Sequence, residues 1–286
     1  MRLRSGLVVL ACASVAGCSI LIDSSGFTSP PEAPPAPLVT ADAADDAARI
    51  DAAPDDGGAD DDGDGAPRVH PYVQAVLADG PSLYYRLEET SDGPVRDEME
   101  TYPGTYLSGG LHSAPGAFAG SSGLRLAGPG GIDAGDVLDF EGTSPFTLEA
   151  WYQPGAYDTQ YRFLFHHNDE RTVRQNYGVY FQSEDGLGFE RYVDGQGRAA
   201  HTSLPTIGAW YHFACVYDGS VLRLFIDGQL VASNTDNRAA KDKRSPLMIG
   251  YGYNGGGVVI GVIDEIAIYE KALDVARIRA HIAAAK

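Results

Sequence analysis

Cysteine is scarce in this chain. Three occur in 286 residues, at positions 12, 18 and 215. The first two lie in an apolar amino-terminal segment, so the body of the chain holds one thiol and no internal disulfide. The folded part must therefore be held together by burial. Cys215 sits in the apolar string WYHFACVY and reads as a buried small hydrophobe rather than a nucleophile. Basic residues are also few. Lys and Arg total 21 against 39 Asp and Glu, a net charge of −18 that repels phosphates and argues against nucleic acid as a partner. No apolar run approaches the about 20 residues needed to cross a hydrocarbon core of ~30 Å. Catalytic signatures are missing too: there is no HExxH, no G-x-S-x-G and no Cys-His arrangement.

What is present begins at the amino terminus. Met1-Arg2-Leu3-Arg4 precedes LVVLACASVAGC, a basic start and short apolar run typical of a secretory signal. Val15-Ala16-Gly17-Cys18 resembles the bacterial lipobox. The resemblance implies a signal peptide over residues 1–17, cleavage before Cys18, and acylation of the Cys18 thiol and of the new amino terminus. Several acyl chains, each worth ~0.8 kcal/mol per buried methylene, would hold the protein on a lipid bilayer. Ser19, by resemblance to lipoproteins of two-membrane bacteria, implies the outer membrane or cell surface. Plain secretion is the alternative.

Residues 18–69 read as a tether. The stretch is Pro, Ala, Asp and Gly with almost no large apolar side chains, so it cannot offset chain entropy by burial. As a flexible chain it would span ~40 Å. Asp60, Asp62, Asp64 and Gly65 imitate the start of a calcium loop, but the twelfth position, which needs a bidentate Glu, is Pro71. This is an acidic, solvated run.

Residues 70–286 suit one large β domain. Short segments rich in aromatic and β-branched residues, among them SLYYRL, FTLEAWYQ, RFLFHH, YGVYFQ, LGFERYV and VIDEIAIY, alternate with Gly, Pro, Asn and Asp turns. The pattern predicts an all-β, two-sheet sandwich. In VLRLFIDGQLVAS, Asp227-Gly228 fits a type I′ hairpin turn, with Leu222, Leu224 and Ile226 on one face and Val221, Arg223 and Phe225 on the other. Pro71 marks the start of a short helix. Asp274 caps another running to about Ala284, docked by Leu273, Ile278 and Ile282.

Four strings carry a family resemblance. YVQAVLADGPSLYYRLEETSDGPVRDE with YPGTYLSGG, GDVLDFEGTSPFTLEAWYQP, WYHFACVYDGSVLRLFIDGQLVAS and GVIDEIAIYEKALDVARIRAHI occur in that order over residues 72–284. Together they resemble a laminin G-like, concanavalin A-like jelly roll. The resemblance implies two antiparallel sheets packed face to face, with an N-terminal and a C-terminal helix and loops at the rims. It also implies a structural calcium, for which Asp264 of the closing strand and Asp97 near the N-terminal segment are the candidates.

Some members of that superfamily are glucanases that align carboxylates along one strand. The E-x-D-x-x-E string is absent here, Glu149 stands alone in FTLEAWY, and adjacent Asp264 and Glu265 should face opposite sides of a strand. Gly250 to Gly255 match G-x-G-x-x-G, but a strand follows in place of the helix that phosphate binding requires, so this is a loop. The most polar rim cluster is His166, His167, Asn168 and Asp169, joined by Tyr157, Tyr161, Arg171 and Tyr177. Tyrosine offers a flat apolar surface with one hydroxyl, suited to sugar or protein contact. The expectation is a membrane-anchored, non-catalytic module binding a glycan or a protein, with no certain cofactor. The alternatives are a hydrolase using Glu184, Asp185, Glu190 and Asp194 if they converge, and a purely structural envelope lipoprotein.

Overall fold

Side-chain alternation sorts this sequence into two layers with a core between them. The computed structural model describes residues 69–107, 109–169, 174–241, 244–252 and 257–286. The signal segment 1–17, Cys18 and its acylation, the tether up to residue 68, the acidic run at 60–65 and Arg171 lie outside the described residues, as do the side chains of Asn168 and Asp169. No helix of the described residues is long and apolar enough to cross a membrane.

The chain opens with α1 (Pro71–Ala78), β1 (Leu83–Tyr85), β2 (Pro94–Val95), β3 (Gly104–Leu107), β4 (Leu111–Pro115), β5 (Ser122–Leu126) and β6 (Gly131–Asp133). Longer strands follow: β7 (Phe146–Ala156), β8 (Arg162–Asp169), β9 (Arg174–Gln182), β10 (Gly186–Val193) and β11 (Gln196–Thr202). The last part comprises β12 (Tyr211–Tyr217), β13 (Val221–Ile226), β14 (Gln229–Thr235), β15 (Leu247–Ile249), β16 (Ile260–Tyr269) and α2 (Val275–Ala284). Sheet A runs β14-β13-β12-β7-β16-β5-β4, with β1 also on β16, and sheet B runs β11-β10-β9-β8-β15-β6-β3-β2. All named strand pairs are antiparallel. This is the all-β jelly-roll sandwich expected of the sequence.

The core between the sheets is aromatic. Phe146, Tyr152, Phe165, Tyr177, Phe181, Phe189 and Tyr217 are all essentially buried in it, and Cys215 is buried there as well. Burial pushes the Cys215 thiol far up, which keeps it inert. Arg191 is also enclosed: its guanidinium lies 3.9 Å above the Tyr217 ring and 3.1 Å from Asp236, tying β10 of one sheet to β12 and the end of β14 in the other. The β13–β14 hairpin turns at Asp227 and Gly228, whose φ angles of 49° and 72° match the type I′ turn.

The two helices begin where their caps predict. His70 Nδ1 accepts from Tyr72 N ahead of Pro71, and the Asp274 carboxylate accepts from Arg277 N. Both helices pack on the outer face of sheet A. Tyr72, Val73, Val76, Leu273 and Ile278 meet Trp151, Ala214, Val216, Phe225, Ala267 and Tyr269 there.

Beneath the helices lies a polar network that the sequence does not announce. Glu149 on β7, fully buried, accepts from His212 Nε2 of β12 at 2.6 Å and from His281 Nδ1 of α2 at 2.8 Å. The other nitrogen of His281 meets Asp79, just after α1, at 2.8 Å, and Arg277 reaches the same carboxylate at 2.8 Å. With a carboxylate at each nitrogen, His281 is an imidazolium. Burial opposes its charge, but the hydrogen bonds and charges of Glu149 and Asp79 outweigh that and raise its pKa. Burial likewise opposes ionisation of Glu149, and the charges and hydrogen bonds of His212 and His281 hold it well below the usual carboxylate range.

The raised pKa has a definite consequence for stability. His281 contributes fully below its unfolded value of about 6.5 and loses that contribution as pH rises through its folded value. Urea midpoints are expected to fall as the pH is raised above about 6.5, and His281→Gln to flatten the fall; an unaltered slope in the variant would remove His281 as its source. Glu149→Ala, which leaves the buried His281 imidazolium without one of its two carboxylates and His212 Nε2 without its partner, is expected to cost about 3–5 kcal/mol in the same measurement.

Candidate functional site

With sheet A capped by helices, the open face of the domain is the outer face of sheet B. Its floor comes from the polar phase of YGVYFQ and LGFERYV. Tyr177, Val179 and Phe181 of β9 and Leu187, Phe189 and Arg191 of β10 point into the core. The intervening Gly178, Tyr180, Gly188, Glu190 and Tyr192 therefore point out. Register places Tyr180, Gly188 and His201 side by side, then Gly178, Glu190 and Ala199, then Tyr192 beside Gly197.

Large rings thus lie beside residues with no side chain. A Cβ on Gly188 would stand 2.6 Å from the Tyr180 hydroxyl, so Tyr180 can lie flat across the neighbouring strand and meet His201 Nε2 at 2.7 Å. Tyr192 covers Gly197 in the same way, with a Cβ there 2.9 Å from the Tyr192 ring. Tyr161, in the loop between β7 and β8, stands edge-on to Tyr180 with centroids 5.0 Å apart, and its hydroxyl donates to the Asp185 carboxylate. Phe163 stacks on His166 at 4.1 Å. Tyr161 is 45% exposed and is the most accessible large ring of the platform.

Glu190 stands among these rings, half-buried between Gly178 and Ala199. No hydrogen bond from a described residue satisfies its carboxylate, and burial alone pushes its pKa up to about 7. A carboxyl so placed is both proton donor and proton acceptor near neutrality.

The residues predicted for the rim are divided by the fold. Tyr161 is on the platform and His166 faces it, though His166 is buried under Phe163. His167 and Tyr177 correct the expectation: they occupy the inward phase of β8 and β9, stack on each other at 4.9 Å, and belong to the core. Tyr177 donates to Leu138 O, and His167 Nδ1 lies 3.2 Å from Ser245 Oγ. Tyr157 is half-buried, stacked on Phe181 and hydrogen-bonded to Pro205 O. Of the four scattered carboxylates, Asp185 and Glu190 flank Tyr161, Glu184 sits in the exposed β9–β10 turn, and Asp194 pairs with Lys241 at 3.6 Å. Tyr180, Tyr192 and His201 escaped notice; the glycines at alternate positions of neighbouring strands were the available signal.

Asp264 and Glu265 depart from strand alternation. Pairing of β16 with β7 slips by one residue between Asp264 and Ala267, and Glu265 takes a φ of 50°. The bulge turns both carboxyls to the same side. Asp264 accepts from Ala117 N at 2.8 Å and Ser121 Oγ at 3.1 Å, while Glu265 meets the Tyr84 hydroxyl and Arg86. Burial, reinforced by the charge of Glu265, raises the Asp264 pKa well above its ordinary value.

Asp97 is engaged differently. Its Oδ1 accepts from Tyr84 N and Met99 N, and its Oδ2 from Thr101 N and Tyr102 N. Four N–H groups aimed at one carboxylate leave no lone pairs facing a cation, which wants six to eight oxygens. Asp97 and Asp264 have separate partners and do not fit a shared calcium site. Among the described residues no three His, Cys, Asp or Glu side chains gather as metal ligands.

The chain belongs to the concanavalin A-like lectin/glucanases superfamily, whose laminin G-like family model matches residues 126–279. Comparison with curated protein sequences gives no match. Among solved structures it is similar to domain 4 of AbnA, a GH43 extracellular arabinanase from Geobacillus stearothermophilus, in complex with arabinotriose. Identity is 18%, with 72% of this chain and 98% of that chain covered and a TM-score of 0.56. The binding domain of Paraclostridial Mosquitocidal Protein 1 is similar at 17% identity, covering 72% and 52%, with a TM-score of 0.58. Trypanosoma rangeli sialidase in complex with the inhibitor DANA is similar at 15% identity, covering 71% and 32%, with a TM-score of 0.55. These likenesses are of fold.

The glycine floor can be tested directly. Gly188→Ala is expected to cost about 1–3 kcal/mol because Tyr180 must leave its seat. Gly93→Ala, where an added Cβ meets nothing within 4 Å, is expected to stay within about 0.5 kcal/mol of the parent in thermal denaturation. Equal effects would show that Tyr180 does not depend on the bare backbone beneath it.

Proposed function

We propose that the protein is a membrane-tethered, non-catalytic module that binds a glycan on the outer face of sheet B. The observation that carries this reading is the pair of accessible rings, the exposed Tyr161 and the partly exposed Tyr192, backed by the buried Tyr180 and with Tyr192 resting on Gly197. Flat rings suit the apolar faces of sugar residues, and nearby hydroxyl, imidazole and carboxyl groups suit their hydroxyls. Membership of a lectin and glucanase superfamily supports a saccharide ligand, as does likeness to an arabinanase domain in complex with arabinotriose.

Tethering is supported by the lipobox-like Val15-Ala16-Gly17-Cys18 and by the composition of residues 18–69. It places the module on a bacterial cell envelope, at the outer membrane or cell surface. Its partners are the bilayer, through acylated Cys18, and a saccharide held by the sandwich.

The pKa of Glu190 gives the hydrolase reading one specific support, since a general acid works best near the ambient pH. Glycoside cleavage also needs a second free carboxyl across the scissile bond. Asp185, the nearest candidate, accepts from the Tyr161 hydroxyl. Binding without turnover is therefore the stronger reading.

A glycan array with the intact protein should show saccharide binding. Tyr161→Ala and Tyr192→Ala should each weaken it about tenfold, the scale of one lost stacking contact. A blank array would favour a purely structural envelope role, and cleavage of a bound oligosaccharide that disappears in Glu190→Gln would establish a hydrolase. Cys18→Ser is expected to move the protein from the membrane to the soluble fraction, with mass spectrometry showing loss of acyl mass; retention on the membrane would refute the anchor.

A further inference from the structure

The surroundings of Glu190 narrow the class of saccharide. On its two flanks the cross-strand neighbours are Gly178 and Ala199, so no side chain larger than a methyl group crowds the carboxyl from either neighbouring strand position. Along its own strand Gly188 and Tyr192 share its face. Tyr180 and Tyr161 stand near enough for the charge of Glu190 to raise the pKa of both hydroxyls. Among the described residues no Lys or Arg forms an ion pair with it. The Asp185 carboxylate is engaged by the Tyr161 hydroxyl. A half-buried carboxylate without a cationic partner, set beside electron-rich rings, is complementary to a compact cation.

Resting on the reading of this face as a glycan site, we propose that the Glu190 carboxyl receives the protonated amine of an amino sugar. The specificity would be for residues bearing a free amine over their N-acetylated or neutral counterparts. The ammonium donates to the carboxylate, and the sugar ring continues over Tyr161 or Tyr192. Without ligand, the carboxyl carries a proton part of the time near neutrality because burial disfavours its charge. A bound ammonium favours the ionised form, so binding releases that proton.

The test is calorimetric titration of the intact protein with three oligosaccharides of equal length: glucosamine, N-acetylglucosamine and glucose oligomers, at physiological salt. The glucosamine oligomer should bind at least about tenfold tighter than the other two, the scale of one charge-assisted hydrogen bond. Near pH 6, titrations in buffers of different ionisation enthalpy should reveal proton release on binding. Glu190→Gln should abolish both the preference and the release. Asp194→Asn, which removes the same charge from an exposed site elsewhere, should leave both unchanged and so exclude a general attraction of polycations to an acidic protein.

Binding of neutral oligomers with equal or better affinity would overturn the amine proposal and leave the glycan reading standing. A preference for glucosamine that survives Glu190→Gln would also overturn it. Failure of all three saccharides would sink both readings, as would Glu190-dependent binding of a lysine-rich peptide alone.

Discussion

The asymmetry of the molecule rests on one buried carboxylate. Glu149 has no access to water, and it keeps its charge because imidazoles from β12 and α2 converge on it. The His281 imidazolium bridges Glu149 to Asp79 just after α1, so residues far apart in sequence are clamped over one sheet. A sandwich of two sheets has two outer faces, and an apolar outer face must be covered. Here the ionic clamp directs the covering to sheet A. The outer face of sheet B is left without a helical cover.

Buried polar groups are matched to different degrees across the molecule. Over sheet A, Glu149 is met by imidazoles and Asp97 by four backbone amides, whereas Asp264 Oδ1 is buried without a hydrogen-bond partner. Between the sheets, Arg191 is matched by Asp236 and the face of Tyr217. On sheet B the Glu190 carboxyl stands half-buried with no such match. A buried polar group without a partner costs stability, and proteins retain such groups where function requires them.

Glycine gives the open face its shape. A tyrosine usually projects from a sheet and packs against its neighbours' side chains. Where the cross-strand neighbour is glycine, the ring can lie down on the backbone. Tyr180 on Gly188 and Tyr192 on Gly197 repeat this device on adjacent strands. Tyr180 is thereby buried, with Tyr161 from a loop packed edge-on against it, while Tyr192 stays partly exposed. Tyr180 and Tyr192 belong to the regular part of the sheet, where position is well defined, rather than to the rim loops that His167 and Tyr177 had suggested.

Much of this was already contained in the sequence. Alternation in FTLEAWYQ and VLRLFI, positive-φ residues at Asp227-Gly228, and caps at Pro71 and Asp274 are local properties, and they yielded the strands, the hairpin, both helices and the sandwich. Local rules failed where one residue changed the phase. The slip at Glu265 put two adjacent carboxyls on one side, and the inward phase of β8 and β9 drew His167 and Tyr177 into the core. The site itself depends on cross-strand register, which brings Gly178, Glu190 and Ala199 abreast from three separate strands. Register is set by how the two hydrophobic faces meet, a property of the packed sheets that no single segment encodes. Amino-acid order thus determined which elements form. The tertiary structure alone decided which face is covered by helices, which is not, and which residues stand beside Glu190.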